Sequence, residues 1–274
     1  MHLLPSVKWF LAGFHAGVAV AANSGIVEVD LVFPRNDTYA PTALFPIVFA
    51  IRNSSLAQFV NPYIEVRVRN SSDRFDTYVT HDYDLRQANF SSSDPYFESR
   101  GFGRFKKEGS YTIVWTVRQQ SCLADESSLA NYHTKDVISN NTIRLLTFTI
   151  KNAAQEVDLV SATNKDNVCL SAQGVAINIT DTVEGLLGRK WWGVGDTCAV
   201  VASPTPTANP CQMKLDSATA ARISSSVTAA ACRLSNPIID CPTKDEEKNN
   251  AQRLAVGAMS LVAVSLGAFG FLLI

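Results

Sequence analysis

The chain has 274 residues, with 24 Lys and Arg against 25 Asp and Glu, a formal charge of −1 and a charged fraction of only 18%. A nearly neutral chain with no basic run excludes nucleic acid as a partner selected by charge. An apolar fraction of 46% excludes a disordered stalk and leaves enough material for a core.

Residues 1–21 read as a secretory signal peptide. Lys8 gives a basic start, Trp9 to Val20 an apolar run of 12 residues, and Ala19-Val20-Ala21 a small-residue cleavage site. Such a run is too short to cross a bilayer as a helix. The mature chain is expected to begin at Ala22.

From residue 22 to 152 the apolar pattern has period two, as a half-buried strand requires. Val27, Val29, Leu31 and Phe33 form one set, ended by Pro34. Phe45, Ile47, Phe49 and Ile51 form the next, with Pro46 suggesting an edge or a bulge. Ile64, Val66 and Val68 alternate with Glu65, Arg67 and Arg69. A further strand is expected between Asp76 and Tyr83. Tyr111, Ile113, Trp115 and Val117 alternate with Thr112, Val114 and Thr116, and Ile143 to Lys151 closes the series. Short strands between loops, without a long helical stripe, predict an antiparallel β-sandwich. The stretch Gly109-Ser110-Tyr111-Thr112-Ile113-Val114-Trp115 resembles a late strand of immunoglobulin-like sandwiches, in which the Tyr enters through a corner. Trp115 is expected in the core.

Residues 153–242 are expected to form a smaller, Cys-rich, disulfide-braced unit of strands and one helix. Glu156-Val157-Asp158-Leu159-Val160 echoes Glu28-Val29-Asp30-Leu31-Val32 and suggests a second first strand. Val175, Ile177 and Ile179 alternate as another. Residues 203–210, Ser-Pro-Thr-Pro-Thr-Ala-Asn-Pro, read as an extended spacer. A helix follows, capped by Asp216 or Ser217 and running to about Ala231. Ala220, Ile223, Val227 and Ala231 share one of its faces.

Residues 243–253 are a polar spacer, and 254–274 form an uncharged apolar tail of 21 residues. At ~1.5 Å per residue such a tail spans a bilayer as a helix. It reads either as a retained transmembrane helix or as a glycosylphosphatidylinositol (GPI) attachment signal. No basic residue follows it, and the polar spacer holds small residues, so the GPI reading is preferred, with Asn249, followed by Asn250 and Ala251, as the best attachment site. The spacer after it is short, and the Cys241–Asp245 region stays open.

Six cysteines, Cys122, Cys169, Cys198, Cys211, Cys232 and Cys241, are an even set in a secreted chain and are expected to form three disulfides. None makes a C-x-x-C, which argues against zinc. A staple from Cys211 to Cys232 around the helix, a nested Cys198–Cys241 bridge and a Cys122–Cys169 link form one arrangement. Asn36, Asn53, Asn70, Asn89, Asn140 and Asn178 are N-x-S/T acceptors and are expected to carry N-glycans.

The run Ile26-Val27-Glu28-Val29-Asp30-Leu31-Val32-Phe33-Pro34-Arg35-Asn36-Asp37-Thr38-Tyr39 resembles the opening of a family of fungal secreted proteins, domain of unknown function 7136. The segment from Cys198 to Cys211 and the Ala/Ser-rich helix ending at Cys232 are similar to that family's C-terminal part. The resemblance implies a fungal surface or wall-associated protein with a GPI-type tail. It implies no catalytic residue and no cofactor.

Chemical sites are sparse. The mature chain has two histidines, His81 and His133, and no Gly-x-Ser-x-Gly elbow for nucleophilic catalysis. His81-Asp82-Tyr83-Asp84 is a dense polar cluster, read as a strand-end loop because one His and two Asp bind transition metals poorly. Glycoside hydrolysis needs two facing carboxylates. Glu28, Glu65, Asp84 and Glu98 are available, with Glu28 and Glu65 expected to face solvent. Trp191-Trp192, in a Gly-rich stretch, is read first as a loop folding its indoles over the gap between the two units, with a glycan contact through its flat aromatic faces as the alternative. The leading expectation is a non-catalytic glycoprotein with a structural or adhesive role. It is held at the cell surface or wall through its tail or a GPI lipid. A carbohydrate-binding or carbohydrate-processing protein is the alternative.

Overall fold

The computed structural model describes residues 24–71, 77–122, 137–183 and 197–241. Residues 1–21 (read as a signal peptide), His133, Trp191, Trp192, the polar spacer with Asn249 and the apolar tail lie outside these residues. The described chain is mainly β. Its strands are β1 (Gly25–Phe33), β2 (Thr38–Tyr39), β3 (Phe45–Arg52), β4 (Tyr63–Asn70), β5 (Thr77–Asp84), β6 (Tyr96–Phe102), β7 (Gly109–Cys122), β8 (Val137–Ile150), β9 (Gly174–Val183) and β10 (Cys198–Val201). Helices α1 (Ser54–Ala57), α2 (Leu159–Thr163) and α3 (Ser217–Cys232) accompany them.

All ten strands join one mixed sheet. The order is β2-β8-β7-β10-β9-β1-β3-β6, with β4 beside β7 and β5 beside β4. The sheet folds over on itself, because strands that are not neighbours meet face to face through aromatic rings. Phe45 of β3 stacks on Phe148 of β8 at 5.1 Å between centroids, and Phe49 meets Trp115 of β7 at 5.4 Å. Trp115 is fully buried there, as its place in the alternation predicts. Tyr111 donates to the carbonyl of Lys107 at 3.0 Å, a corner contact local to the start of β7. The strand order corrects the purely antiparallel expectation, since β2 runs parallel to β8 and β10 parallel to β7. β10 enters late in the chain at the end of β7, where the direction open to it is parallel.

Both predicted segments feed this sheet. β9 lies against β1 over six residue pairs, from Gly25↔Ile179 to Asp30↔Gly174, and β10 lies between β9 and β7. β1 therefore has a neighbour on each side and cover on both faces. From Val27 to Phe33 every residue is buried, Glu28 included. β3 is likewise central, paired with β1 and β6. The β1 ladder ends at Val48, so Pro46 lies beyond it and disturbs only the β6 side.

The echo at residues 156–160 does not form a strand. Asp158 accepts from the N–H of Ser161 at 2.9 Å and starts α2 instead. An Asp at N-cap competes with extension because it supplies a partner for an orphan helical donor. α3 forms as its pattern predicts. Asp216 caps it through the N–H of Thr219 at 2.6 Å, and Ala220, Ile223, Val227 and Ala231 are buried. It packs on β6 where Gly101 leaves room. A Cβ on Gly101 would come within 2.5 Å of Leu44 and 2.6 Å of Val227.

Three disulfides are present, but they pair differently from the nested arrangement. Cys122 joins Cys198, Cys169 joins Cys211, and Cys232 joins Cys241. A Cys211–Cys232 staple would require the chain to double back along a helix of ~24 Å, whereas bridged Cα atoms lie ~6 Å apart. Cys122–Cys198 instead ties the parallel strands β7 and β10. Cys169–Cys211 clamps the segment that covers β1.

Candidate functional site

The densest buried group of charges lies on the covered face of β1. Glu28 and Asp30, two residues apart on one strand, point to the same side. Arg52 of β3, opposite Glu28 in the ladder, forks between them. Its Nε donates to Oδ2 of Asp30 at 2.9 Å, and its terminal nitrogen contacts Glu28. The same guanidinium donates to the carbonyl of Asn209 at 2.9 Å, and the N–H of Asn209 donates to Glu28. Solvent-facing placement, expected for Glu28 from strand alternation, is thus overturned. Glu28 is 8% exposed because the 208–213 segment lies over β1.

Gly174 permits that close cover. A Cβ there would meet Ala208 at 2.7 Å and Pro210 at 2.9 Å. Beside it Gln173 is fully buried and donates to the carbonyls of Leu31 at 2.9 Å and Pro34 at 3.2 Å. Arg35 is also buried, donates to the carbonyl of Met213 at 2.9 Å, and is lowered from its ordinary value by that burial. The Cys169–Cys211 bridge closes the same seam.

Asp30 has no exposure, and one of its oxygens, Oδ1, meets no donor. Burial pushes its carboxyl up to about 7; Arg52 pulls it down, and the neighbouring Glu28 pushes it up further. The raised value favours a proton on Asp30 beside Glu28. This is the arrangement that two like charges adopt when they cannot both ionise. The pair has the elements of acid–base chemistry. Yet its polar atoms are spent on Arg52 and on the backbone of Asn209, under a covering segment. It pins that segment to the sheet.

The other candidate carboxylates do not join this pair. Glu65 is on β4 and bonds Arg118 and Arg67; Asp84, on β5, bonds Arg86. Glu98 lies on β6, half-buried, and burial raises its carboxyl. It borders Tyr83 and Arg100, while His81 packs edge-on against Tyr83 at 4.5 Å. Burial and then Arg100 lower His81, while Asp82 raises it. His81-Asp82-Tyr83-Asp84 is thus strand β5 rather than a loop, with His81 and Tyr83 turned inward. Among the described residues no three His, Cys, Asp or Glu side chains converge as a metal-binding group.

Of the glycan acceptors, Asn36, Asn89 and Asn140 are exposed, and Asn53, Asn70 and Asn178 are half-buried. Trp191, Trp192 and Asn249 fall outside the described residues. Sequence reasoning missed Asp30 and Arg52. The signal for them was present: when two successive strands are apolar at most positions, each is covered on both faces, and a charge between them must be buried and paired.

A family model described as a domain of unknown function, DUF7136, matches residues 22–241. Neither a curated protein nor a solved structure matches the chain.

Proposed function

Since the chain belongs to the DUF7136 family, whose description assigns no activity, we propose from its own residues that it is a non-catalytic surface glycoprotein. In this reading residues 22–241 form an ectodomain of structural or adhesive role. It is carried through the secretory route and held at a fungal cell surface or wall by a GPI lipid at Asn249. One observation carries the reading. The buried ionisable groups and the Cys169–Cys211 bridge are used together to fasten a covering segment to the sheet. A fold fastened in this way suits an oxidising exterior, where disulfides persist. Three disulfides with no unpaired cysteine among the described residues agree with that compartment. Among the described residues no helix is long and apolar enough to cross a membrane.

The test is expression of the whole chain in a fungal host with an internal tag. Treating intact cells with phosphatidylinositol-specific phospholipase should release a protein whose mass falls on deglycosylation. Retention in the cytosol, unglycosylated and with reactive thiols, would overturn the reading. Release prevented by Asn249→Gln would place the attachment.

A further inference from the structure

The face of β4, β7 and β8 that turns away from the core has a composition of its own. The ladders align Asp84, Tyr63, Arg118 and Asn141 in one row across β5, β4, β7 and β8. The next row is Asp82, Glu65, Thr116 and Ile143, and the third is Thr80, Arg67, Val114 and Leu145. The partner residues Ile64, Val66, Ile113 and Val117 point inward and are buried. At the first row the surface sinks into a groove of about 330 Å³ lined by Tyr63, Arg86, Arg118, Gln120, Ser139 and Asn141. Asn61 lies at its floor. It donates to Gln120 at 3.2 Å, is 4% exposed, and leaves its own carbonyl oxygen without a donor. Beyond the groove Ile143 and Leu145 stand 58% and 57% exposed.

We propose that this face binds a neutral oligosaccharide chain. The groove offers both donors and acceptors: guanidinium N–H groups, the amides of Asn61, Gln120 and Asn141, and the hydroxyl of Ser139. A polyhydroxylated ligand needs both kinds at once. Both arginines lie beside the Tyr63 ring. Their guanidinium carbons lie 5.9 Å (Arg86) and 5.8 Å (Arg118) from the centre of the Tyr63 ring. Arg86 is bonded to Asp84 and Arg118 to Glu65. Each cation of the groove thus faces a carboxylate, Glu65 being shared with Arg67, which weakens the net field that an acidic ligand would require. Ile143 and Leu145 extend the face with apolar surface for the C–H side of a sugar ring. The row from Asp84 to Asn141 crosses three strand spacings of ~4.8 Å, roughly 14 Å, which suits a short oligosaccharide better than a single ring.

The proposal is independent of how the chain is anchored, and its failure would leave the anchored ectodomain untouched. The test is calorimetric titration of the deglycosylated chain with neutral hexaoses of β-1,3-glucan, β-1,4-glucan and N-acetylglucosamine, and with an acidic oligogalacturonate. Binding of at least one neutral hexaose is expected, unchanged in about 0.5 M NaCl, where charge-driven binding is screened. Tyr63→Ala should weaken it at least tenfold, and the surface pair Gln120→Ala with Asn141→Ala severalfold, while Lys151→Ala on a separate surface should leave it unchanged. Failure of every neutral hexaose to bind overturns the proposal. So does binding undiminished in both the Tyr63 variant and the folded Gln120/Asn141 variant, or binding of the acidic oligomer alone.

Discussion

The Nε of Arg52 donates to Oδ2 of Asp30 at 2.9 Å, while the other oxygen of the same carboxyl meets no donor. That asymmetry makes the seam sensitive to acid and base. The Asp30 carboxyl titrates near 3.8 when the chain is unfolded and about 7 when folded, burial being the main cause. Between these values the folded state holds a proton that the unfolded state has lost, so stability falls as pH rises from ~4 to ~7. The loss is on the order of a few kcal/mol. Glu98, also raised by burial, adds a slope of the same sign. Denaturant melts at pH 4, 6 and 8 should show a declining midpoint. Asp30→Asn, which removes the titrating carboxyl, should flatten most of the decline. A midpoint that rises with pH would refute the proton on Asp30.

Arg52→Ala should cost more than a surface ion pair. It leaves Glu28 and Asp30 buried without their cation and Asn209 without one of its partners. Loss of one member of a buried pair costs about 3–5 kcal/mol. Proton uptake by Asp30, already raised by burial and freed from the pull of Arg52, will recover part of this as pH falls. Urea unfolding at pH 8 and pH 4.5 measures both effects.

Gly174→Ala tests the cover from the other side. The added methyl must displace Ala208 and Pro210, and overpacking of this kind costs about 1–3 kcal/mol. Hydrogen exchange should accelerate in residues 206–213 before it does so in β7 and β8. Uniform acceleration across the sheet would mean that the segment is not a separate cover.

Non-reducing peptide mapping should return Cys122–Cys198, Cys169–Cys211 and Cys232–Cys241. Their sequence separations of 76, 42 and 9 residues rank the loops they close. On a chain-entropy account the first two contribute ~4 kcal/mol each and the last about 2.5. Paired Cys→Ser replacement of Cys232 and Cys241 should therefore be the mildest of the three. An equal or larger loss there would show that the short bridge holds α3 in place by more than loop closure.

Occupancy of the glycan acceptors should follow exposure. Asn36, Asn89 and Asn140 are open to solvent, whereas the amide of Asn53 donates to the carbonyl of Ile26 at 3.4 Å. Mass spectrometry after enzymatic deglycosylation should find the three exposed sites converted and Asn53 largely unconverted. Full conversion at Asn53 would mean that this loop is rearranged in the mature protein.

Where one face of a strand is solvated, its alternation could be read directly. Ile64 to Val68, Tyr111 to Val117 and the buried stripe of α3 emerged from period alone. β6 went unread because Tyr96 to Phe102 is half-buried on both sides, and Gly101 interrupts its pattern for the sake of α3. β10 is four residues long, too short for a period. Glu28 was misplaced because alternation says which residues share a face, not whether a distant segment will cover it. The cysteine partners were beyond reach for the same reason. Cys122 meets Cys198 only because β10 runs parallel to β7, a pairing that no local pattern encodes.

The position of β1 has a consequence for how the molecule must be made. Its partner β9 is translated some 150 residues later. At ~5–20 residues per second a ribosome needs roughly ten to thirty seconds to supply it. Throughout that interval the nascent chain presents an apolar strand with an unsatisfied backbone edge, which is a template for aggregation. Fragments ending before Gly174 should therefore accumulate as insoluble material, whereas chains that include β9 should not.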